Sequence, residues 1–248
     1  MDAVGAVYYS DTAKVWRIAP DGSKSGAVPN VHSHELWLDR DGNLYGVHEM
    51  GGSTWSHRVW KRSPDGRVSD LIAARNGFLE DYKDFSLARD GTGAMYWLVR
   101  GKEGGLFKRA PGGQAKLLAS LSVEEPGWLS VLPDGTAMVA DHGSLIRISP
   151  EGKVEKPAIA VAENKERYSI MGAWSDKAGE IYAAVYGDAA IKRISRDGKV
   201  TTVARSPVLW QPTGGLMAPD GALWILETSP ANAQRVRRVA ADGASRVF

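Results

Sequence analysis

The segment VWRIAPDG, residues 15–22, returns five more times along the chain, and this recurrence limits the possible folds more than any other feature. The copies are VWKRSPDG (59–66), LFKRAPGG (106–113), LIRISPEG (145–152), IKRISRDG (191–198) and VRRVAADG (236–243). Seven positions before the closing glycine stands an aliphatic residue: Val15, Val59, Leu106, Leu145, Ile191 and Val236. Five before it stands a basic one: Arg17, Lys61, Lys108, Arg147, Arg193 and Arg238. Copies lie 39 to 47 residues apart. A period of that size marks a repeat architecture, each copy being one supersecondary unit.

A second module alternates with the first: LDRDGNLYGV (38–47), LARDGTGAMYWL (87–98), VLPDGTAMVA (131–140), WSDKAGEIYAA (174–184) and MAPDGALWIL (217–226). A large side chain follows each aligned glycine by three positions: Tyr45, Tyr96, Met138, Tyr182 and Trp224. Gly5 and Tyr8 give a partial sixth copy. Each period therefore reads strand, glycine turn, strand, variable loop, strand, glycine turn, strand. Asp-Gly and related pairs supply the positive φ that tight hairpins need. Four short antiparallel strands per repeat are the pattern of a propeller blade. The expected fold is all-β: a six-bladed β-propeller of four-stranded antiparallel blades in one domain, 1–248. The expected blades are approximately 1–31, 32–78, 79–122, 123–164, 165–207 and 208–248. Only MDAV precedes Gly5, so the first blade is expected to lack its innermost strand.

Composition removes several classes of function. There is no cysteine, hence no disulfide, thiolate metal site or thiol nucleophile. With 31 basic against 29 acidic side chains, a nucleic-acid partner is not expected. The repeated basic residues read as solvated blade surface. No apolar run approaches the roughly 18 residues of a membrane span, so no membrane partner is expected. The start MDAVGAVYYSD lacks the regions of a signal peptide, and a soluble chain is expected, periplasmic or secreted if a signal has been removed. No Walker or dinucleotide glycine motif, Gly-x-Ser-x-Gly elbow or His-Glu-x-x-His helix is present.

The two modules resemble those of NHL-repeat, SMP-30/gluconolactonase-like and streptogramin B lyase-like propellers. The run GGLMAPDGALWILETSPANAQRVRRVAADG (214–243) is most similar to a streptogramin-lyase repeat. That resemblance implies a histidine heading an inner strand, a glutamate at the end of the next strand, a second histidine and Mg²⁺. His34 stands at the first of these positions; the glutamate position holds His48, with Glu49 after it. The early Glu-Gly-Pro and strand-heading asparagines of the SMP-30 pattern have no counterpart.

The blade pattern also places side chains. Both glycine turns of a blade fall at one end and the variable loops at the other. Alignment on the glycines puts His34, Lys83, Gly127, Ser169 and Thr213 at the heads of first strands. It puts Asp11, His48, Val99, Asp141, Val185 and Glu227 at the ends of second strands. The hairpin 33–50 brings His34 and His48 to one height. Charged groups gathered at a channel mouth are expected to pair, hold a metal or bind a polar ligand. The expected metal ligands are His34, His48, Asp141 and Glu227, for a divalent ion among Zn²⁺, Mn²⁺, Mg²⁺ and Ca²⁺. The expected catalytic groups are His34, His48 and Lys83, with Lys83 facing an anionic intermediate. Tyr82, Trp128, Arg167, Tyr168 and Trp210 in the variable loops are the expected walls of a small-molecule pocket. The reading is a metal-assisted hydrolase or lyase for a small cyclic or ester-like molecule. The alternative is a non-catalytic propeller that binds a ligand or a protein.

Overall fold

A computed structural model describes residues 1–50, 56–75, 87–99, 104–122, 128–155, 158–166 and 168–248, with the side chains of residues 34, 49, 50, 56, 57 and 72–75 outside the described set. Among the described residues there is no helix, so none is long and apolar enough to cross a membrane. The strands form six antiparallel sheets. Sheet 1 has three strands, β1 (Val7–Ser10), β2 (Val15–Ile18) and β3 (Lys24–Val28). Sheet 2 has β4 (Ser33–Leu38), β5 (Leu44–Met50), β6 (Ser56–Arg62) and β7 (Val68–Arg75). Sheet 3 has β8 (Leu87–Arg89), β9 (Met95–Val99), β10 (Gly105–Arg109) and β11 (Ala115–Ser120). Sheet 4 has β12 (Leu129–Val131), β13 (Ala137–Asp141), β14 (Ser144–Ile148) and β15 (Ile159–Ala160). Sheet 5 has β16 (Ile170–Ser175), β17 (Ile181–Val185), β18 (Ala190–Ile194) and β19 (Val200–Arg205). Sheet 6 has β20 (Gln211–Met217), β21 (Leu223–Thr228), β22 (Gln234–Val239) and β23 (Ser245–Val247). Strand order follows chain order in every sheet, and the first sheet lacks its first strand. The fold class is the six-bladed β-propeller that the repeat implies.

The turn between first and second strands carries its own chemistry. In four copies an aspartate stands three residues before the positive-φ glycine, and a tyrosine three after it. Asp39 accepts hydrogen bonds from the Asp41 and Asn43 amides (3.0 and 2.9 Å) and from the Tyr45 hydroxyl (2.9 Å). Asp90 does the same for Thr92, Ala94 and Tyr96. Asp176 serves Ala178, Glu180 and Tyr182, and Asp2 serves Val4, Ala6 and Tyr8. One carboxylate thus closes the turn and fixes the strand that leaves it. Where the aspartate is absent, at Leu132 and Ala218, the tyrosine is absent too: Met138 and Trp224 take its place.

The two modules meet across the ladder. Tyr8, Tyr45, Tyr96, Met138, Tyr182 and Trp224 are the Cα partners of Arg17, Lys61, Lys108, Arg147, Arg193 and Arg238 in turn. The Lys108 ammonium lies 4.9 Å from the Tyr96 ring centroid, and the Arg238 guanidinium 6.0 Å from that of Trp224. Lys61, Lys108 and Arg238 thus lie over the ring of their cross-strand partner, whereas Arg147 faces Met138, which offers none.

The sheets fall into two compact units, residues 1–82 with Phe248, and residues 83–247. In the first, Val15, Val28, Val31, Leu44 and Trp60 make a core between sheets 1 and 2. In the second, three successive cores join sheets 3 and 4 (Tyr96, Leu106, Val139), 4 and 5 (Met138, Leu145, Val185) and 5 and 6 (Tyr182, Ile191, Ile225).

Candidate functional site

In the first unit the sequence-predicted histidines come to the head of sheet 2. Ser33 is the Cα partner of His48, and the register shifts between Ser33 and Leu36, leaving His34 and Glu35 in a β-bulge one residue from that partner. The partner of His48 is thus Ser33, the chain neighbour of His34, and the side chain of His34 lies outside the described residues. The same shift recurs between Ile170 and Gly172 and between Pro212 and Gly214. Met171 and Thr213 are thus the structural equivalents of His34. Ser169, assigned to that ring by spacing, instead caps its loop by donating its hydroxyl to the Glu166 carbonyl at 2.8 Å. The spacing agrees once it is counted evenly: His34, Met171 and Thr213 each stand eight residues before the glycine of their turn, and Ser169 stands ten before.

His48 is half-buried, and its Nδ1 is shielded from solvent without a well-formed hydrogen bond among the described residues. Burial pushes its imidazole below the ordinary value of 6.5, and the Arg58 guanidinium and His32 push the same way, against the His32 backbone. Arg58 is the Cα partner of His48 on β6. Its Nη1 is 3.5 Å from Asp70, and its Nε is buried without a hydrogen-bond acceptor among the described residues. His32, also held low by burial, is drawn upward by Asp11. The Asp11 carboxylate accepts from the Ala13 and Lys14 amides (2.8 Å each) and from the Trp16 indole (2.5 Å). Burial raises its pKa, but those hydrogen bonds outweigh it and the net shift is downward. Tyr9 is 4% exposed, its hydroxyl has no hydrogen bond among the described residues, and burial followed by the Asp11 charge pushes it up to about 12. Glu35, next to His34 in the chain, is buried. Buried polar atoms are nearly always satisfied, and Tyr9, His48 and Arg58 each carry one without a hydrogen bond among the described residues, as do residues of other sheets such as Arg147 and Trp174.

Glu35 and Arg58 do not stand out in the sequence, and His32 does so only as a histidine preceding the same inner strand as His34. The ladder supplies the missing signal for Arg58, because its register against His48 depends on the loop between β5 and β6.

In the second unit the predicted carboxylates have partners of their own. Asp141 Oδ1 is 2.7 Å from Nδ1 of exposed His142. His142 and Gly143 form a two-residue hairpin turn with φ of +42° and +83°. Glu227 is fully buried. It accepts from Arg235 Nε (2.8 Å) and from Arg237 Nε and Nη2 (3.0 and 2.8 Å), while Arg237 Nη2 also reaches the Arg205 carbonyl at 3.0 Å. Burial pushes the Glu227 carboxyl up, yet the Arg237 and Arg235 bonds prevail and hold it low. The Arg235 guanidinium lies 3.9 Å from the Trp210 ring centroid.

Arg237 and Lys192 occupy a column that holds Trp16, Trp60, Phe107 and Ile146 in the other sheets. A cation in an otherwise apolar column is the sequence signal for a buried ion pair. Lys192 Nζ lies 2.5 Å from Asp188 and donates to the Val161 carbonyl at 2.9 Å. Trp128 packs against the core between sheets 4 and 5, and Tyr168 is 47% exposed. Tyr82, Lys83 and Arg167 lie outside the described residues.

The expected metal site finds limited support in these contacts. No three histidine, aspartate or glutamate side chains among the described residues stand together as ligands. A cation at Glu227 would meet two guanidiniums already bound there.

No protein-family model and no curated protein sequence matches the chain. Solved structures do. Virginiamycin B lyase from Staphylococcus aureus superposes with a TM-score of 0.63 at 12% identity, over 100% of this chain and 82% of that one. Regucalcin from Agrobacterium tumefaciens, described as a calcium-binding protein, gives 0.63 at 20% identity over 92% and 79%. A gluconolactonase from Xanthomonas campestris gives 0.64 at 14% identity over 90% and 79%. At these identities the likeness carries the fold, a propeller shared by lyases and gluconolactonases, and not the chemistry.

Proposed function

We propose that the protein is an enzyme of the hydrolase or lyase kind, acting on a small cyclic or ester-like molecule at the head of sheet 2, with His48 as its acid–base group. The observation that carries this reading is the pairing of a neutral-poised, incompletely bonded imidazole with the Arg58 guanidinium across one rung of the ladder. Neutral His48 can take a proton from an attacking water, or from the carbon next to a carbonyl, and return it to the leaving oxygen. Arg58 supplies positive charge where an oxyanion or enolate develops. His34, at the bulge beside His48, is the proposed second imidazole. A divalent ion on His34 and His48 is the metal-assisted form of the same reading, and metal analysis of the purified protein decides between the two forms.

Turnover of a panel of lactones and esters tests the proposal. His48→Ala is expected to lower turnover by about 10²-fold or more. A wild-type protein inert on every member, with ligand binding unchanged in His48→Ala, would overturn it.

A second reading, a non-catalytic binding platform, is favoured by one feature. Val208 and Leu209 are 88% and 68% exposed at the turn between sheets 5 and 6, where Leu209 holds φ of +71°. A bulky residue in that backbone region is strained, and strain of this kind gathers at contact sites. The partner in that reading is a protein, a peptide or a sugar.

A further inference from the structure

We infer that the substrate carries a carboxylate, and that Arg58 is the residue that docks it by exchanging Asp70 for the incoming group. The inference rests on the reading of His48 as the acid–base group, and it adds the chemical class of the molecule that group acts on.

Three observations lead there. Arg58 stands opposite His48 on the ladder, so an anion held by its guanidinium lies beside the imidazole. The recorded carboxylate partner is held loosely: Nη1 and Asp70 Oδ1 are 3.5 Å apart, against about 2.7–2.9 Å for a well-formed charge-assisted hydrogen bond. The Arg58 and Asp70 side chains are 28% and 40% exposed, so the pair is screened and free to part. Finally, Arg58 Nε is buried and has no acceptor among the described residues, although the guanidinium fork is built to bind a carboxylate with two parallel bonds. Rotation of the guanidinium away from Asp70 brings Nε and one Nη to face the ligand together. Asp70 then acts as a stand-in that keeps the cation compensated until the substrate arrives.

Acetate is the probe. In the intact protein, acetate and not chloride at matched ionic strength is expected to shift the Arg58 Nε–Hε NMR signal in a saturable way. Arg58→Gln is expected to weaken acetate binding more than tenfold. Arg58→Lys, which keeps the charge but loses the planar fork, is expected to weaken it about fivefold. Asp70→Asn is expected to tighten it about threefold, the size of a surface ion pair. An Arg58 signal indifferent to acetate, equal binding by the lysine variant, or unchanged affinity in Asp70→Asn each overturns the inference. Acetate binding that persists in a His48→Gln protein, alongside unchanged turnover in that variant, sinks the acid–base reading and leaves the carboxylate site standing.

Discussion

The Trp60 indole donates to the Ser33 hydroxyl at 2.9 Å, and it can do so only because residue 46 has no side chain. Ser33 in turn donates its amide to Ser10 Oγ at 2.9 Å, which ties sheet 1 to the head of sheet 2. A Cβ at Gly46 would sit 2.6 Å from both Ser33 Oγ and Trp60 Cε2. Gly46→Ala is therefore expected to cost about 3 kcal/mol through overpacking. Gly214, with an ordinary φ and nothing within 4 Å of a built Cβ, is the control: Gly214→Ala is expected to stay within about 1 kcal/mol of the parent. Urea unfolding of both variants checks the pair.

Glu227 holds Arg235 and Arg237 in the interior of sheet 6. Glu227→Gln keeps the shape but leaves two guanidiniums without a countercharge. A loss of about 3–5 kcal/mol is expected, as for other broken buried pairs. Equilibrium denaturation measures it, and a loss below 1 kcal/mol would refute the description of this cluster as a structural clamp.

The turn aspartates can be tested through their tyrosines. Tyr96 is fully buried, and burial followed by its bond to Asp90 raises its pKa well above the ordinary value of 10. Tyr96→Phe removes a hydrogen bond to a charged acceptor and is expected to cost about 1.5–3 kcal/mol. Thermal unfolding of this variant, which keeps the ring and removes only the hydroxyl, measures the hydrogen bond apart from ring packing.

Protonation of the first unit has a definite sign. His32 and His48 are both held below 6.5 in the folded chain. The unfolded chain therefore binds protons there that the native state does not. This contribution is fully present above pH 6.5 and is lost as pH falls below it. The urea midpoint is expected to drop between pH 7.5 and pH 5, with a shallower drop in His48→Gln. Identical slopes in parent and variant would refute the burial argument for His48.

Leu209 offers a gain of stability. Its φ of +71° costs roughly 1–2 kcal/mol for a residue with a side chain, part of which a glycine returns as unfolded-state entropy. Leu209→Gly is expected to stabilise the protein by about 0.5–1 kcal/mol, read from the urea midpoint.

The amino-acid sequence by itself determined the six repeats, the antiparallel order of strands within each and the three-stranded first sheet. All of these rest on local chemistry: glycines that accept positive φ, alternating apolar residues, and turns a few residues long. It also put residues 33 and 48 on facing strands, because a hairpin is itself a local structure. The tertiary structure decided which charges are spent. Glu227 and Asp141 occupy equivalent strand ends and look alike in the sequence, yet one is fully buried between two arginines and the other lies against an exposed histidine. Arg58 is also joined to His48 by a hairpin, but the connection between β5 and β6 varies from blade to blade, so the repeat spacing does not give its partner and the β5–β6 register does. The reason is physical: a turn or a strand depends on residues near in sequence, whereas the charge state and partners of a side chain depend on whatever the fold packs beside it.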